Sequence, residues 1–304
     1  MFSIVIPSWN NLAYLKLCVE SVREHSSVAH EILVHLNDGS DGSLEWVKSR
    51  GIKYTRSAKN VGVCLALNHI VAQAKHDWVL FMNDDMVAAP GWDQAFADAI
   101  QSVDTDLALF FGTLIQSENG GNASIIKQDF GASPETFDKV KFLQNFYQDG
   151  RGDKEGTGSQ PTLFHKKWWT MVGGYSLEFS PGMSSDDDLM MKFCVAGCRT
   201  FRIVSAARFY HFGCKSTGRI KHNMGGRMFV MKWGITHIEF HRLYLPSLCK
   251  PNGGRTANNP HNCVRSTWLG KLRRVGYALR YNYPLEDIEA WDAQPGNGKW
   301  TQGN

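Results

Sequence analysis

The sequence predicts an α/β fold, with a mainly parallel central sheet flanked by helices and a mostly helical C-terminal extension. Three observations predict it. Short apolar runs alternate with amphipathic segments through residues 1–115, in the order β-α-β-α-β-α-β. Several of these runs stop abruptly at clusters of polar turn residues. Of the 304 residues, 43% are hydrophobic, enough for a sizeable core.

Residues 2–6 read as a buried strand ended by Pro7. Asn10 or Asn11 caps a helix in which Leu12, Leu15, Val19 and Val22 share one face. A second strand over 31–36 closes at Asn37-Asp38-Gly39-Ser40-Asp41-Gly42, and Leu44 and Val47 mark a short helix. A third strand covers 52–56, and the helix over 63–74 turns Leu67, Ile70 and Val71 inward. The fourth strand, 78–82, stops at Asn83-Asp84-Asp85, and a helix over 92–100 and a strand over 107–111 follow. From 116 to 160, Gly, Asn, Ser and charged residues predict an irregular, mobile region. Order returns at 161–169, with a helix over 186–196 and strands over 200–204 and 207–212. A helix over 228–245 and a basic segment over 265–280 complete the pattern.

In parallel sheets of this kind, ligands bind beyond the carboxyl ends of the strands. The polar clusters Pro7-Ser8-Trp9-Asn10, Asn37-Asp38 and Asn83-Asp84-Asp85 lie at those ends. The balance of 33 basic and 29 acidic residues, net +4, argues against a nucleic-acid partner. Seven cysteines, an odd number, several in apolar runs, read as reduced buried thiols and a cytoplasmic compartment. The first segment lacks the length and basic start of a signal peptide, and no run approaches the ~18 apolar residues of a spanning helix.

Three groups carry chemistry. Adjacent Asp84 and Asp85 repel one another at a strand end unless a cation or donors offset their charge. A hard divalent cation would do so; so would an ordinary turn that caps the next helix. Ser185-Asp186-Asp187-Asp188-Leu189 reads either as helix-start acid, favoured by the helix dipole, or as the seat of a general base. His211 lies between Tyr210 and Phe212, as a core histidine or a metal ligand.

The motifs at 7–10, 37–43, 60–62 and 83–85 resemble, in order and spacing, those of family 2 glycosyltransferases. The similarity covers roughly residues 1–215. It implies a GT-A, Rossmann-like catalytic domain over 1–215, with a nucleotide-binding half (1–115), an acceptor-side half (116–215) and an extension over 216–304. It further implies that Pro7, Trp9, Asn10, Asn37 and Asp38 line the base and ribose pocket, where the Asp38 carboxylate accepts an N–H of a uracil-like base. Lys59, Asn60 and Gly62 would lie near the ribose and diphosphate, with Asn83 and Asp84 beside the nucleotide. Asn68 matches a frequent family Asn on the following helix, in a site role or, equally, a packing or helix-fixing one. Asp85 would hold the metal and His211 would add an imidazole, a donor set suiting Mn²⁺ better than Mg²⁺. Asp186 would be the general base, with Asp188 second, and Gly173-Gly174-Tyr175 and Phe179 match the family's approach to it. Lys215 and Arg219 would close over the diphosphate. Asn83 replaces the first acid of the metal motif, which lowers the charge available to a metal, and Ser185 replaces the first acid of the base motif.

The resemblance implies inverting transfer from a UDP-, dTDP- or GDP-sugar to a glycan, lipid-linked glycan or small-molecule acceptor. Two rivals stay in view: a glycan-binding relative without turnover, and a sugar nucleotidyltransferase, against which the absence of a Gly-rich opening counts. Cys249, Cys263 and His261 lack paired zinc spacing. Cys194 and Cys198 read as core thiols, and His237 and His241 as structural. Lys271, Arg273, Arg274 and Arg280 among Trp268, Leu269, Leu272 and Val275 make either a peripheral membrane contact or a solvated helix packed on the catalytic domain.

Overall fold

The computed structural model describes residues 1–118, 124–147, 150–213, 224–245, 268–280 and 301–302. The first half follows the predicted alternation: β1 (Ser3–Trp9), α1 (Leu12–His25), β2 (Glu31–Asn37), α2 (Ser43–Ser49), β3 (Lys53–Ser57), α3 (Gly62–Val71) and β4 (Trp78–Phe81). β3, β2, β1 and β4 lie side by side and all run parallel. Period-two alternation divides the core: Val5 packs beneath one face with Leu67 and Phe81, whereas Ile4 and Ile6 pack on the other with Leu15, Val19 and Leu80.

β1 does not end at Pro7 but runs through it. The Val5 carbonyl accepts from Met82 N, so the backbone groups of Val5, and of Pro7 two residues on, point toward β4. β4 stops at Phe81, opposite Val5, so proline's missing N–H costs no ladder bond there. Neither Asn caps α1. Asn11 holds the cap position without a side-chain cap bond, and Asp41 Oδ2 instead accepts from Leu12 N at 2.8 Å.

The remaining strands make the sheet mixed. β5 (Met86–Ala88) follows the acidic turn, and α4 (Trp92–Gln101) leads to β6 (Ala108–Gln116). The described residues of 116–160 are better ordered than their composition predicts. They hold β7 (Ile125–Lys127), α5 (Lys139–Asn145) and β8 (Lys154–Glu155). Phe130, Phe137 and Phe142 gather around Tyr210 in a third cluster. Irregularly spaced rings build this cluster, so it leaves no helical or strand period to read. β9 (Thr162–His165) inserts antiparallel between β4 and β6. After α6 (Lys166–Met171) and α7 (Ser185–Val195), the two expected strands are one, β10 (Thr200–His211). Its pairing with β6 slips between Val204 and Arg208. β5 pairs antiparallel with the end of β10.

The expected helix over 228–245 is broken. α8 (Gly225–Trp233) ends at Gly234, whose φ of 72° is the left-handed cap conformation. A capping box at Thr236 and Glu239 restarts the chain as α9 (His237–Glu239), which runs into a π turn over Phe240–Tyr244. Phe229, Ile235 and Phe240 join the same core as Leu189 and Phe193. α10 (Trp268–Arg280) packs on α8, and Thr301–Gln302 pairs with β3. Among the described residues, no helix is long and apolar enough to cross a membrane.

Candidate active site

The ends of β1 and β2 are held together by their own side chains. Asn10 and Asp38 adopt φ of 47° and 70°, a region these short polar residues tolerate. Asn10 Nδ2 donates to Asp38 Oδ2 at 2.8 Å, and Asn10 Oδ1 accepts from Gly39 N at 2.9 Å. Hydrogen bonds from Asn10 and Ser40 hold the Asp38 carboxyl below the ordinary range, so it stays an anion and an acceptor. Asn37 is buried, and its Oδ1 accepts from Val61 N at 2.9 Å and lies 3.1 Å from Ser57 Oγ. It thereby ties β2 to the 59–62 turn. The Lys59 carbonyl accepts from Ser57 Oγ at 2.6 Å, and Asn60 Oδ1 from Gly62 N at 2.9 Å. Trp9 pairs with Asn37, and Pro7 with His35, in the β1–β2 register.

Gly62 joins this edge to the segment that precedes α7. Its φ is +77°, a Cβ on it would fall 2.8 Å from Pro181 Cα, and Val63 N donates to Pro181 O at 3.0 Å. Only glycine permits that approach.

The acidic turn meets the end of β10. Asp84 Oδ1 accepts from Asn11 Nδ2 at 3.2 Å, and the Asn83 carbonyl faces the buried Cys18 thiol at 3.6 Å. Asp85 is 5% exposed. The β5–β10 register sets His211 opposite Met86, and Phe212 N donates to the Asp85 carbonyl at 3.1 Å. His211 Nε2 then stands 3.4 Å from Asp85 Oδ2. Lys215 and Arg219 lie outside the described residues.

The model of the family described as "Glycosyl transferase family 2" matches residues 3–159, which contain the three strand-end clusters just described. The chain belongs to that family. No curated protein sequence matches this glycosyltransferase. Among solved structures it is similar to S. aureus TarS 1-349, at 14% identity and a TM-score of 0.55, over 95% of this chain and 77% of that one. TarS 1-349 is also known in complex with UDP and with UDP-GlcNAc. A second likeness is to GalNAc-T7 with UDP, GalNAc and Mn²⁺, at 14% identity and a TM-score of 0.57, over 94% of this chain and 58% of that one. At these identities the likenesses show the fold, which is GT-A. The family match ends before Asp186 and His211 and assigns neither a role.

In this glycosyltransferase the three acids at the start of α7 have three different surroundings. Asp186 is exposed. Its Oδ1 accepts from the Tyr175 hydroxyl, and Gln160 also bonds to the carboxyl. Desolvation pushes the Asp186 pKa up and the Asp187 charge adds to it, against the Tyr175 and Gln160 bonds. Protein atoms crowd the carboxyl and desolvate it, although the residue as a whole is exposed. Tyr175 is itself placed by Asn68, whose Nδ2 donates to Tyr175 O at 2.7 Å and whose Oδ1 accepts from Tyr175 N at 2.8 Å. Burial pushes the Tyr175 phenol up, keeping it a donor.

Asp187 lies 2.7 Å from His241 Nε2, and His241 Nδ1 lies 3.1 Å from Thr157 Oγ1. Asp188 departs from the second-base expectation. It is 0% exposed, accepts from Ser176 Oγ at 2.6 Å and Trp233 Nε1 at 2.8 Å, and pairs with Lys232 at 2.9 Å and Lys192 at 3.6 Å. Both its oxygens are committed to protein donors, so it has no open face for an acceptor. Gln160, Lys232 and Trp233 carry no motif that points to this role. Gln160 stands next to Pro161, and the others lie beyond the segment the motifs cover.

Proposed function

We propose that this glycosyltransferase moves a sugar from a nucleoside diphosphate to an acceptor hydroxyl, with inversion at the sugar carbon. The donor is a UDP-, dTDP- or GDP-sugar, and the acceptor is a glycan, a lipid-linked glycan or a small molecule. The observation that carries this reading is the opposition of Asp85 Oδ2 and His211 Nε2 across 3.4 Å, one on the acidic turn and one at the end of β10. A buried carboxylate facing an imidazole nitrogen is stabilised by a cation shared between them. The oxygen–nitrogen donor pair fits Mn²⁺ better than Mg²⁺. Among the described residues no group of three His, Cys, Asp or Glu converges, so a diphosphate and water would supply the other ligands. A divalent cation bound there would offset charge on the departing diphosphate.

The chain's own residues account for the rest. Asp38, held ionised by Asn10 and Ser40, presents an acceptor to the base. Asn60 and Gly62 shape the turn beside the sugar-phosphate. Asp186, exposed and with a raised pKa, takes the acceptor proton, and Tyr175 and Gln160 hold its carboxylate in place. We assign Asp188 a positioning role. A glycan-binding protein without turnover has less support, because it does not call for an oriented carboxylate on an exposed residue.

Peripheral membrane contact through α10 completes the proposal. In α10, Arg273 pairs with Glu239, and Arg274 donates to the Val230 and Lys232 carbonyls. Trp268, Leu269, Leu272 and Val275 face outward at 75%, 56%, 50% and 56% exposure beside exposed Lys271. The arginines thus dock the helix and the apolar side chains are left for an interface.

Calorimetric titration with UDP, GDP and dTDP, each with Mn²⁺ and with EDTA, tests the function. Metal-dependent binding of one diphosphate is expected, and absence of binding by all three sinks the transfer reading.

A further inference from the structure

We propose that Gln116 selects the tautomer of His211 and so holds the Nε2 lone pair toward Asp85; the inference rests on the metal reading above. Gln116 is the last residue of β6, and the parallel register of β6 and β10 pairs Ile115 with Tyr210. Gln116 and His211 therefore leave the sheet side by side. The backbone of Gln116 is anchored on its far side, where it pairs with Lys127 of β7 and accepts from Gln128 N at 3.0 Å.

The side chain makes two hydrogen bonds. Gln116 Nε2 donates to the Glu118 carbonyl at 2.9 Å, and Gln116 Oε1 lies 3.1 Å from His211 Nδ1. The first bond sets the amide's orientation, because a main-chain carbonyl only accepts and must face the NH₂ group. The amide oxygen is then turned to His211, and an oxygen only accepts. Nδ1 must carry the hydrogen, and in the neutral ring Nε2 carries the lone pair. That lone pair faces Asp85 Oδ2 at 3.4 Å. The opposite tautomer would direct an N–H at Asp85 and leave a lone pair against the Gln116 oxygen. Gln116 is thus a positioning residue: it excludes the ring state that satisfies Asp85 with a hydrogen and keeps the one that two-ligand cation binding needs.

Two measurements on the full chain test this. Two-bond ¹H–¹⁵N correlation of labelled histidines reads the His211 tautomer in metal-free protein at a pH where the ring is neutral, with His211→Gln assigning the signal. Mn²⁺ titration in the presence of UDP reads the affinity. Wild-type protein is expected to show the Nδ1–H pattern. Gln116→Leu should admit the Nε2–H form and weaken Mn²⁺ by about 10–100-fold. Gln116→Glu keeps an acceptor at Nδ1 and should keep both the pattern and the affinity; it also controls for a leucine variant that folds poorly. An Nε2–H pattern in the wild type, or Mn²⁺ affinity unchanged in a folded leucine variant whose tautomer has shifted, overturns the proposal. A wild type that holds the Nδ1–H pattern but takes up no Mn²⁺ with UDP overturns the metal reading instead, and leaves Gln116 as the tautomer-setting residue.

Discussion

The proposed donor edge, built from β1, β2 and the 59–62 turn, and the start of α7 are assembled in different ways. At the donor edge, β-sheet register sets Trp9 beside Asn37 and Asn37 beside Ser57, and short side-chain bonds such as Asn10–Asp38 finish the site. At α7 no register operates. Asp186, Asp187 and Asp188 are each fastened to a different segment: Tyr175 and Gln160, His241 and Thr157, and Trp233 with Lys232 and Ser176. A backbone ladder distributes error over many bonds, whereas a side-chain brace fails when one partner is lost. Changes far from the chemistry should therefore strike turnover harder than nucleotide binding.

Asp186→Asn separates the two regions most strongly. Turnover should fall by about 10²–10⁴-fold with UDP affinity unchanged, as read by sugar-transfer kinetics and calorimetry. Parallel loss of UDP affinity would mean that the two regions are not separable. Asp188→Ala should destabilise the fold by about 3–5 kcal/mol, measured by urea denaturation, because Lys192 and Lys232 lose the anion they share. Burial already pushes the Lys192 pKa down, so it tolerates that loss poorly. Gly62→Ala sharpens the comparison from the other side. The new methyl would meet the Pro181 backbone in a left-handed conformation, which costs about 1–3 kcal/mol. Because Pro181 leads into α7, kcat should drop more than UDP affinity.

A pH slope tests the same edge without a substitution. His35 is fully buried under the donor edge, 2.7 Å from Thr55 Oγ1, and burial, with the His69 charge, pushes its pKa down from 6.5 to about 3. The unfolded chain then binds a proton that the folded chain refuses. Its contribution is complete above about pH 6.5 and is lost as pH falls toward 3, by at most about 1.4 kcal/mol per pH unit. Urea midpoints at pH 7 and pH 5 read this loss, and His35→Gln should flatten it. Asp186 gives acid a second point of attack. Its raised pKa places the acid limb of the rate profile above that of an ordinary aspartate.

Sequence by itself determined the α/β class, the four parallel strands of the first half and the polar clusters at their ends. Those features are written in neighbouring residues: apolar runs of strand length, then Asn and Asp where a chain must turn. It also singled out Asp85, His211 and Asp186 through their motifs. Only the tertiary structure decided which of three consecutive acids faces solvent, because Asp186, Asp187 and Asp188 are equivalent helix-start residues until Tyr175, His241 and Trp233 reach them from elsewhere. It likewise decided that Phe130, Phe137 and Phe142 order a polar stretch, and that Pro7 sits inside a strand whose neighbour has ended. These outcomes depend on which side chains meet after distant segments pack, and no local pattern of polarity encodes that meeting.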